Sequence, residues 1–448
     1  MSAPVRTVSF LPDDKARACI HCGLCLSSCP TYLETGNENY SPRGRIYLMR
    51  ALEDGVLPLN ADTVRPLDLC LGCRACEAAC PSGVQYGVLL EATRHHINET
   101  HTRSLPQRLL RDVLIEQVFP YARRMKAALV PGRLVKALGL AGLTPALFRP
   151  LLDLMPRTSR VVVVPERSAA WGPGGERRGT VGFIRGCVMS VLFSGTNAAS
   201  VSLLTKAGFD VIAPDPQGCC GALYAHSGNL EAARASARAL IAVFEAHAVE
   251  TIVINAAGCG STLKEYGHLL ADDPAWAARA QAFSAKVRDL SEALVDAGFV
   301  ERLRPAADAS GDATVTFHDA CHLAHAQRVT AAPRVLVQAI AGSRFVPLPE
   351  SDVCCGSAGS YNLTEPEMAA RLQARKVANI RATGAEVVVS TNPGCLMQID
   401  AGLRAAEPPV RVVHLADFVA ESFGSTSTHA ADVARAAVVA GSRPEPTA

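Results

Sequence analysis

Cys19-Ile-His-Cys22-Gly-Leu-Cys25-Leu-Ser-Ser-Cys29-Pro30 and Cys70-Leu-Gly-Cys73-Arg-Ala-Cys76-Glu-Ala-Ala-Cys80-Pro81 share one spacing, C-x2-C-x2-C-x3-C-P. Three thiols placed this closely can each bind a different iron of one cubane. The fourth begins the next helix and is turned away from the first three. Pro30 and Pro81 steer the chain off after the last thiol and remove a backbone donor. A zinc ribbon presents its cysteines in pairs and does not need this pattern twice, so the spacing favours iron–sulfur chemistry over zinc or disulfides.

The spacing resembles the run of bacterial ferredoxins, in which the fourth cysteine of each run serves the other cluster. Cys19, Cys22, Cys25 and Cys80 are therefore expected around one [4Fe–4S] cluster, and Cys70, Cys73, Cys76 and Cys29 around a second. Gly23 and Gly72 could let backbone amides approach cluster sulfurs. His21 reads as a neighbour of the cluster or a surface residue. Between the runs stands Ser41-Pro42-Arg43-Gly44-Arg45. Its two arginines could offset thiolate charge, contact a partner, or simply open a solvated helix.

The whole chain has 448 residues, sixteen of them cysteine, with 49% hydrophobic and 19% charged residues. That composition suits a globular protein of two or three domains. A net charge of +2 gives no signal for nucleic acid. The first residues, MSAPVRTVSF, lack the apolar core of a secretory signal, and no long uncharged apolar run suggests a membrane span. The expected location is the cytoplasm, where clustered cysteines bind metal more often than they form disulfides.

Residues 1–100 read as a helical ferredoxin-type domain, and 101–179 as a helical linker broken by Pro106, Pro120, Pro131 and Pro145, its last part, 166–179, being irregular. From 180 the pattern becomes α/β. TVGFIRG, FDVIAP, ETIVINA, TVTFHDA, SRFVPLP and AEVVVST read as short strands between helices such as NLEAARASARALIAVFEAHA and PEMAARLQARKVANIRATG. Alternating strands and helices predict parallel sheets. The fold class is thus a multi-domain α+β chain: a 2[4Fe–4S] domain, a linker, and two α/β modules at 180–300 and 310–423. A loose tail is expected at 424–448.

The modules are an internal duplication. Cys187, Cys219, Cys220 and Cys259 recur as Cys321, Cys354, Cys355 and Cys395, at separations of 134, 135, 135 and 136 positions. Each single cysteine follows a strand, and the carboxyl ends of parallel strands gather into one site. Four thiols per module could therefore converge on an iron–sulfur centre or zinc, or remain redox-active or structural thiols. Gly221 and Gly356 would permit the tight backbone after each pair. His226, His318, His322 and His325 lie nearby in sequence and could bond a cluster, meet a quinone or donor, or be ordinary core or surface histidines.

The two C…CCG…C modules resemble the cysteine-rich (CCG) domains of the heterodisulfide reductase family, whose pattern ends C-x-x-C. Here Thr262 and Gln398 occupy the last position. The non-cubane cluster of that family would lack a ligand. Together with CIHCGLCLSSCPTYLETGNENYSPRGRIYLMR, NAAGCGSTLKEY and CCGSAGSYNLTEPEMA, the modules resemble the iron–sulfur subunit family of bacterial glycolate oxidase (glycolate dehydrogenase). The resemblance implies an electron-transfer subunit that takes electrons from FAD-containing partners oxidising glycolate to glyoxylate and passes them toward quinone. Equivalent subunits acting with D-lactate or glycerol 3-phosphate dehydrogenases, or a catalytic disulfide reductase, are the alternatives. The chain has no nucleotide-binding glycine loop of its own, so the isolated chain is not expected to be catalytic. Residues 106–150 carry eight Arg or Lys. They read either as a linker packed on the modules or as a peripheral contact with an anionic membrane on its cytoplasmic side.

Overall fold

The computed structural model describes residues 9–139, 162–168, 177–303, 313–404 and 406–422. The expected tail, 424–448, lies outside them.

The N-terminal part is helical. Ser41 caps the helix Pro42–Glu53 by accepting the Gly44 N–H at 3.0 Å, and Pro42 fills the first position, where no amide is needed. Asn60 and Thr63 form a reciprocal cap on Ala61–Asp68. With Tyr86–Thr100 these helices enclose a small core of Ile46, Met49, Leu67, Leu89 and Ile97, into which Cys70 and Cys76 project. Among the described residues the linker is helical over Leu105–Arg108, Leu109–Val118 and Ala122–Ala137, and Pro131 does not break it; Pro145 lies outside the described residues. The helix Ala122–Ala137 runs through that proline. Ala127, whose carbonyl loses its partner, is exposed, so water can take the bond.

Downstream lie two parallel sheets. Strands β1 (Arg167–Ser168), β2 (Gly179–Ile184), β3 (Phe209–Ile212), β4 (Thr251–Ile254) and β5 (Val287–Asp289) form one, in the order β1-β3-β2-β4-β5. Only β1, which rises from the segment read as irregular linker, is antiparallel. Strands β6 (Val315–Phe317), β7 (Val387–Ser390) and β8 (Arg411–His414) form the other. The expected strand SRFVPLP is reduced to a single bridge, Val315 to Phe345. In the first module Ile212 pairs with Gly182 at the matching position. The second module has Pro347 there, which has no N–H to give the ladder.

The two modules share one apolar core. Phe183, Val253 and Leu204 of the first pack with Phe317, Val389 and Phe418 of the second. Polar bonds cross the same seam. Thr196 donates to Asp417 at 2.7 Å, and His414 Nε2 donates to the Asn255 carbonyl at 2.8 Å while its Nδ1 accepts the Ala416 N–H at 3.0 Å. Among the described residues no helix is long and apolar enough to cross a membrane.

Burial holds His414 neutral, lowering its pKa from 6.5 to about 4. Between those values the unfolded chain binds more protons than the folded one. The stabilisation is therefore complete above pH 6.5 and is lost as pH falls toward 4. The stability difference between wild type and His414→Gln should shrink by about 2 kcal/mol from pH 7.5 to pH 5. Urea midpoints at the two pH values check it, and parallel shifts would refute it.

Candidate metal centres

Cys19, Cys22, Cys25 and Cys80 line one cavity of about 30 Å³, together with Gly23, Arg43 and Pro81. Cys22 is exposed, and its neighbours Ile20 and Leu24 are 69% and 59% exposed. His21 is a surface residue in the left-handed region, φ 54°. Its carbonyl accepts from Arg43 at 3.1 Å, and Arg43 also bonds Glu38 at 2.6 Å. Gly23 makes room for that arginine: a Cβ there would lie 2.8 Å from the Arg43 guanidinium.

Cys29, Cys70, Cys73 and Cys76 line a second cavity of about 20 Å³ and are all buried. Donors are aimed at their sulfurs. The Gly72 N–H reaches Cys70 at 3.4 Å, the Tyr86 hydroxyl reaches Cys70 at 3.6 Å, and Arg45 reaches Cys29 at 3.8 Å. Arg45 is only 1% exposed; it also bonds the Pro66 carbonyl at 2.7 Å and Thr31 at 2.9 Å. Of the readings open for this arginine, charge compensation is the one the burial supports; Arg43 is instead tied to Glu38 at the surface. Burial would raise the Cys70 thiol, but Arg45, Arg94, the Gly72 amide and Tyr86 outweigh it and hold its pKa below the usual thiol range. Burial pushes Cys73 and Cys76 well up, which leaves room for a cluster's irons to supply the missing positive charge. A buried thiol set with amide and hydroxyl donors at its sulfurs fits an anionic iron–sulfur cluster. Tyr86 and Arg94 were not singled out from the sequence, because both lie on a helix beyond the second run with nothing local to mark them.

The module thiols also converge. Cys187 and Cys219 stand 3.8 Å apart. Thiol-to-thiol contact with Cys219, then burial, raises the pKa of Cys187. The same linkage runs Cys219–Cys220–Cys259, and Cys321–Cys354–Cys355–Cys395 in the second module. Gly221 and Gly356 both take positive φ, 84° and 89°. Cysteines of both modules, with Leu71, His226 and His322, line one apolar cavity of about 210 Å³.

The histidines separate. His322 is buried and bridges Ser261 at 2.7 Å and the Gly72 carbonyl at 3.1 Å. His325 bonds the Asp352 carbonyl at 3.0 Å. His226 faces Glu91 at 3.2 Å and meets His322 edge-on. His318 stands with two thiols: one ring nitrogen and the sulfurs of Cys355 and Cys395 all lie within 4.8 Å of one another. At the positions of the missing fifth thiols, Thr262 and Gln398 are buried, and Gln398 is bonded to Asn362 at 3.0 Å.

The second cysteine run is seated between the modules. Leu71 and Cys73 pack with Cys321, Cys354 and Tyr361 in one cluster. Tyr361 donates to the Leu69 carbonyl at 2.9 Å. Arg65 pairs with Glu365 and Arg74 with Glu265 across the contact. The order along the molecule is thus an exposed thiol set, a buried one, then the module thiols.

This architecture defines an iron–sulfur electron-transfer protein: a dicluster ferredoxin domain docked on a duplicated cysteine-rich α/β unit. The 4Fe-4S dicluster domain family matches residues 15–84, and the cysteine-rich domain family matches 181–264 and 315–400. The chain is 40% identical over 91% of its length to the probable glycolate oxidase iron-sulfur subunit of Bacillus subtilis, covering 94% of that protein. It is 36% identical over 86% of its length to the glycolate oxidase iron-sulfur subunit of Escherichia coli, covering 89% of it. Lactate utilization protein A of Bacillus licheniformis is 31% identical over 52% of this chain and 94% of its own length. The chain belongs to the family of glycolate oxidase iron–sulfur subunits. A hypothetical protein from Helicobacter pylori shares the fold, with a TM-score of 0.51 and 10% identity over 88% of this chain and 70% of that one.

The glycine after the second cysteine pair admits a direct check. A Cβ on Gly356 would lie 2.6 Å from the Ala369 carbonyl, whereas one on Gly36, also at positive φ, would meet nothing. Gly356→Ala should destabilise the fold by about 2–3 kcal/mol and Gly36→Ala by about 1 kcal/mol. Denaturant midpoints measured side by side test this; equal costs would show that backbone crowding at the thiol pair is not the cause.

Proposed function

We propose that this chain is the electron-transfer subunit of a complex in which FAD-containing partners oxidise glycolate to glyoxylate. Cys19, Cys22, Cys25 and Cys80 would hold one [4Fe–4S] cluster, and Cys29, Cys70, Cys73 and Cys76 a second; each, when bound, supplies a one-electron site. The observation that carries the reading is the gradient of exposure, from Cys22 at the surface to Cys73 against Cys321 and Cys354. A flavin partner would meet the exposed face around Ile20 and Leu24. The protein then lowers the cost of holding charge inside: Arg45 offsets thiolate charge, and packing of Leu71 and Tyr361 excludes water. The module thiols would receive the electrons and pass them toward quinone or another acceptor. The limits assigned to the domains are 1–100, 101–179, 180–300 and 310–423. The likeness to lactate utilization protein A supports one second reading, the equivalent subunit of a lactate-oxidising complex. Thr262 and Gln398, in place of further thiols, weigh against a catalytic disulfide reductase.

Anaerobic reconstitution should place about eight irons in the ferredoxin-type domain. Cys22→Ala and Cys73→Ala should each remove one cluster's paramagnetic signal, and undiminished iron in both would overturn the ligand assignment. The purified single chain should not turn over glycolate with an artificial acceptor, while the chain with its flavin partners should; turnover by the single chain would sink the subunit reading.

A cytoplasmic site, peripheral on the membrane, is part of the same proposal. Leu105, Leu109, Leu134 and Leu138 are exposed in a segment rich in Arg and Lys. Against it, Arg103 and Arg111 turn inward to Asp68, and the Glu116 carbonyl accepts from Tyr224 of the first module. The full chain should float with vesicles containing acidic lipid and lose at least about tenfold in binding in Leu134→Glu/Leu138→Glu. Wild type that stays with the soluble fraction would end this part of the proposal.

A further inference from the structure

The two modules carry the same four thiols, yet their buried surroundings differ, at His318 and Lys376 among other positions. His318 follows the first strand of the second module; the first module has Ile184 there, at the 134-residue offset. Lys376 lies on the helix Pro366–Ala382; its counterpart, at the 135-residue offset, is Ile241. Both isoleucines sit in a closed apolar core with Cys219 and Cys220. The second module thus has a nitrogen donor and a cation where the first has only hydrocarbon.

His318 is fully buried, and neither ring nitrogen has a hydrogen-bond partner. A buried imidazole is normally bonded at one nitrogen at least. The polar backbone group beside it, the Ser351 carbonyl, already accepts the Asp319 N–H at 3.1 Å and Lys376 at 3.5 Å. What the ring does approach is sulfur, since its nitrogen lies within 4.8 Å of both Cys355 and Cys395. Cys354 adds a further thiol in contact with Cys355. Lys376, 2% exposed and bonded to the Glu350 carbonyl, stands close enough to act electrostatically on Cys354 and Cys355.

We propose that His318 is a nitrogen ligand in the second module, forming with Cys355 and Cys395 three corners of a site for one divalent ion, zinc or iron(II), with Cys354, which touches Cys355, turning in as the fourth. The first module keeps an all-sulfur set. The inference rests on the reading of the module thiols as metal-binding. Its chemistry follows from the donors. Metal–sulfur bonds of about 2.3 Å and metal–nitrogen bonds of about 2.0 Å hold donors roughly 4 Å apart, and the donor atoms of His318, Cys355 and Cys395 already lie within 4.8 Å of one another. Soft thiolates with imidazole in tetrahedral array select zinc or iron. A divalent ion with three thiolates carries net negative charge, and the Lys376 ammonium offsets it in a site closed to water.

The test is element-specific X-ray absorption on the full chain with its ferredoxin clusters in place, loaded separately with zinc and with ferrous iron. The expected result is one ion beyond the ferredoxin irons, with a mixed sulfur–nitrogen shell; the zinc edge reports it directly if zinc is bound. If iron is bound, the excess iron reports it instead. His318→Ala should lose that ion or weaken its binding by about 100-fold or more, since even losing a group that only orients a ligand costs 10–100-fold. His318→Cys should keep the ion with an all-sulfur shell, which separates a lost ligand from a lost fold. An all-sulfur shell in wild type, unchanged binding in His318→Ala, or metal content untouched by Cys355→Ala would each overturn the assignment. Absence of the ferredoxin irons would instead overturn the electron-transfer reading and leave this one standing.

Discussion

One buried guanidinium ties the molecule together. Arg94 donates to the Cys70 carbonyl at 2.6 Å and the Leu67 carbonyl at 3.3 Å with one nitrogen, and to the His226 carbonyl at 2.8 Å with another. The first two bonds shape the loop of the second cysteine run; the third grips the first module. A Cβ on Gly228 would come 2.5 Å from the Arg94 backbone, so the grip exists only because that position is glycine. The same side chain helps hold Cys70 below the usual thiol range. Loop shape, docking and thiolate charge therefore depend on one group.

Charge burial explains much of the rest. Thiolates in a dry interior need positive partners, and each costs several kcal/mol to desolvate without one. Arg45 answers this at the second cysteine set, and Lys376 sits beside the thiols of the second module. The first set lies near solvent, where water serves, and its Arg43 is correspondingly committed to Glu38. The step from the exposed Cys22 to the buried Cys29, Cys70, Cys73 and Cys76 gives the chain a direction.

The duplication shows how one scaffold can be made to do two things. Both modules keep the parallel strands and the glycine after the cysteine pair, because the backbone there tolerates no side chain. They differ where substitution is free of the fold's main constraint. Pro347 trims a strand that Ile212 completes. His318 and Lys376 introduce polar chemistry into positions that Ile184 and Ile241 fill with hydrocarbon, and both remain buried.

Short-range rules made the local parts readable in the sequence. The spacing of Cys19 to Cys29 and Cys70 to Cys80, the offset between Cys187 and Cys321, and the alternation of short apolar strands with helices are properties of neighbouring residues, and they determined the two cysteine runs, the duplication and the parallel sheets. The tolerance of Pro131 was not readable, since it depends on the exposure of Ala127. Nor was the role of Arg45, since nothing in Ser41–Arg45 tells a buried cation from a solvated helix start. Only the tertiary structure decided that the modules close a single core, that Cys73 meets Cys321 and Cys354, and that His318 stands with the sulfurs of Cys355 and Cys395. Those contacts join residues hundreds of positions apart or on different elements. They are set by packing and by the cost of burying charge, which no local pattern records.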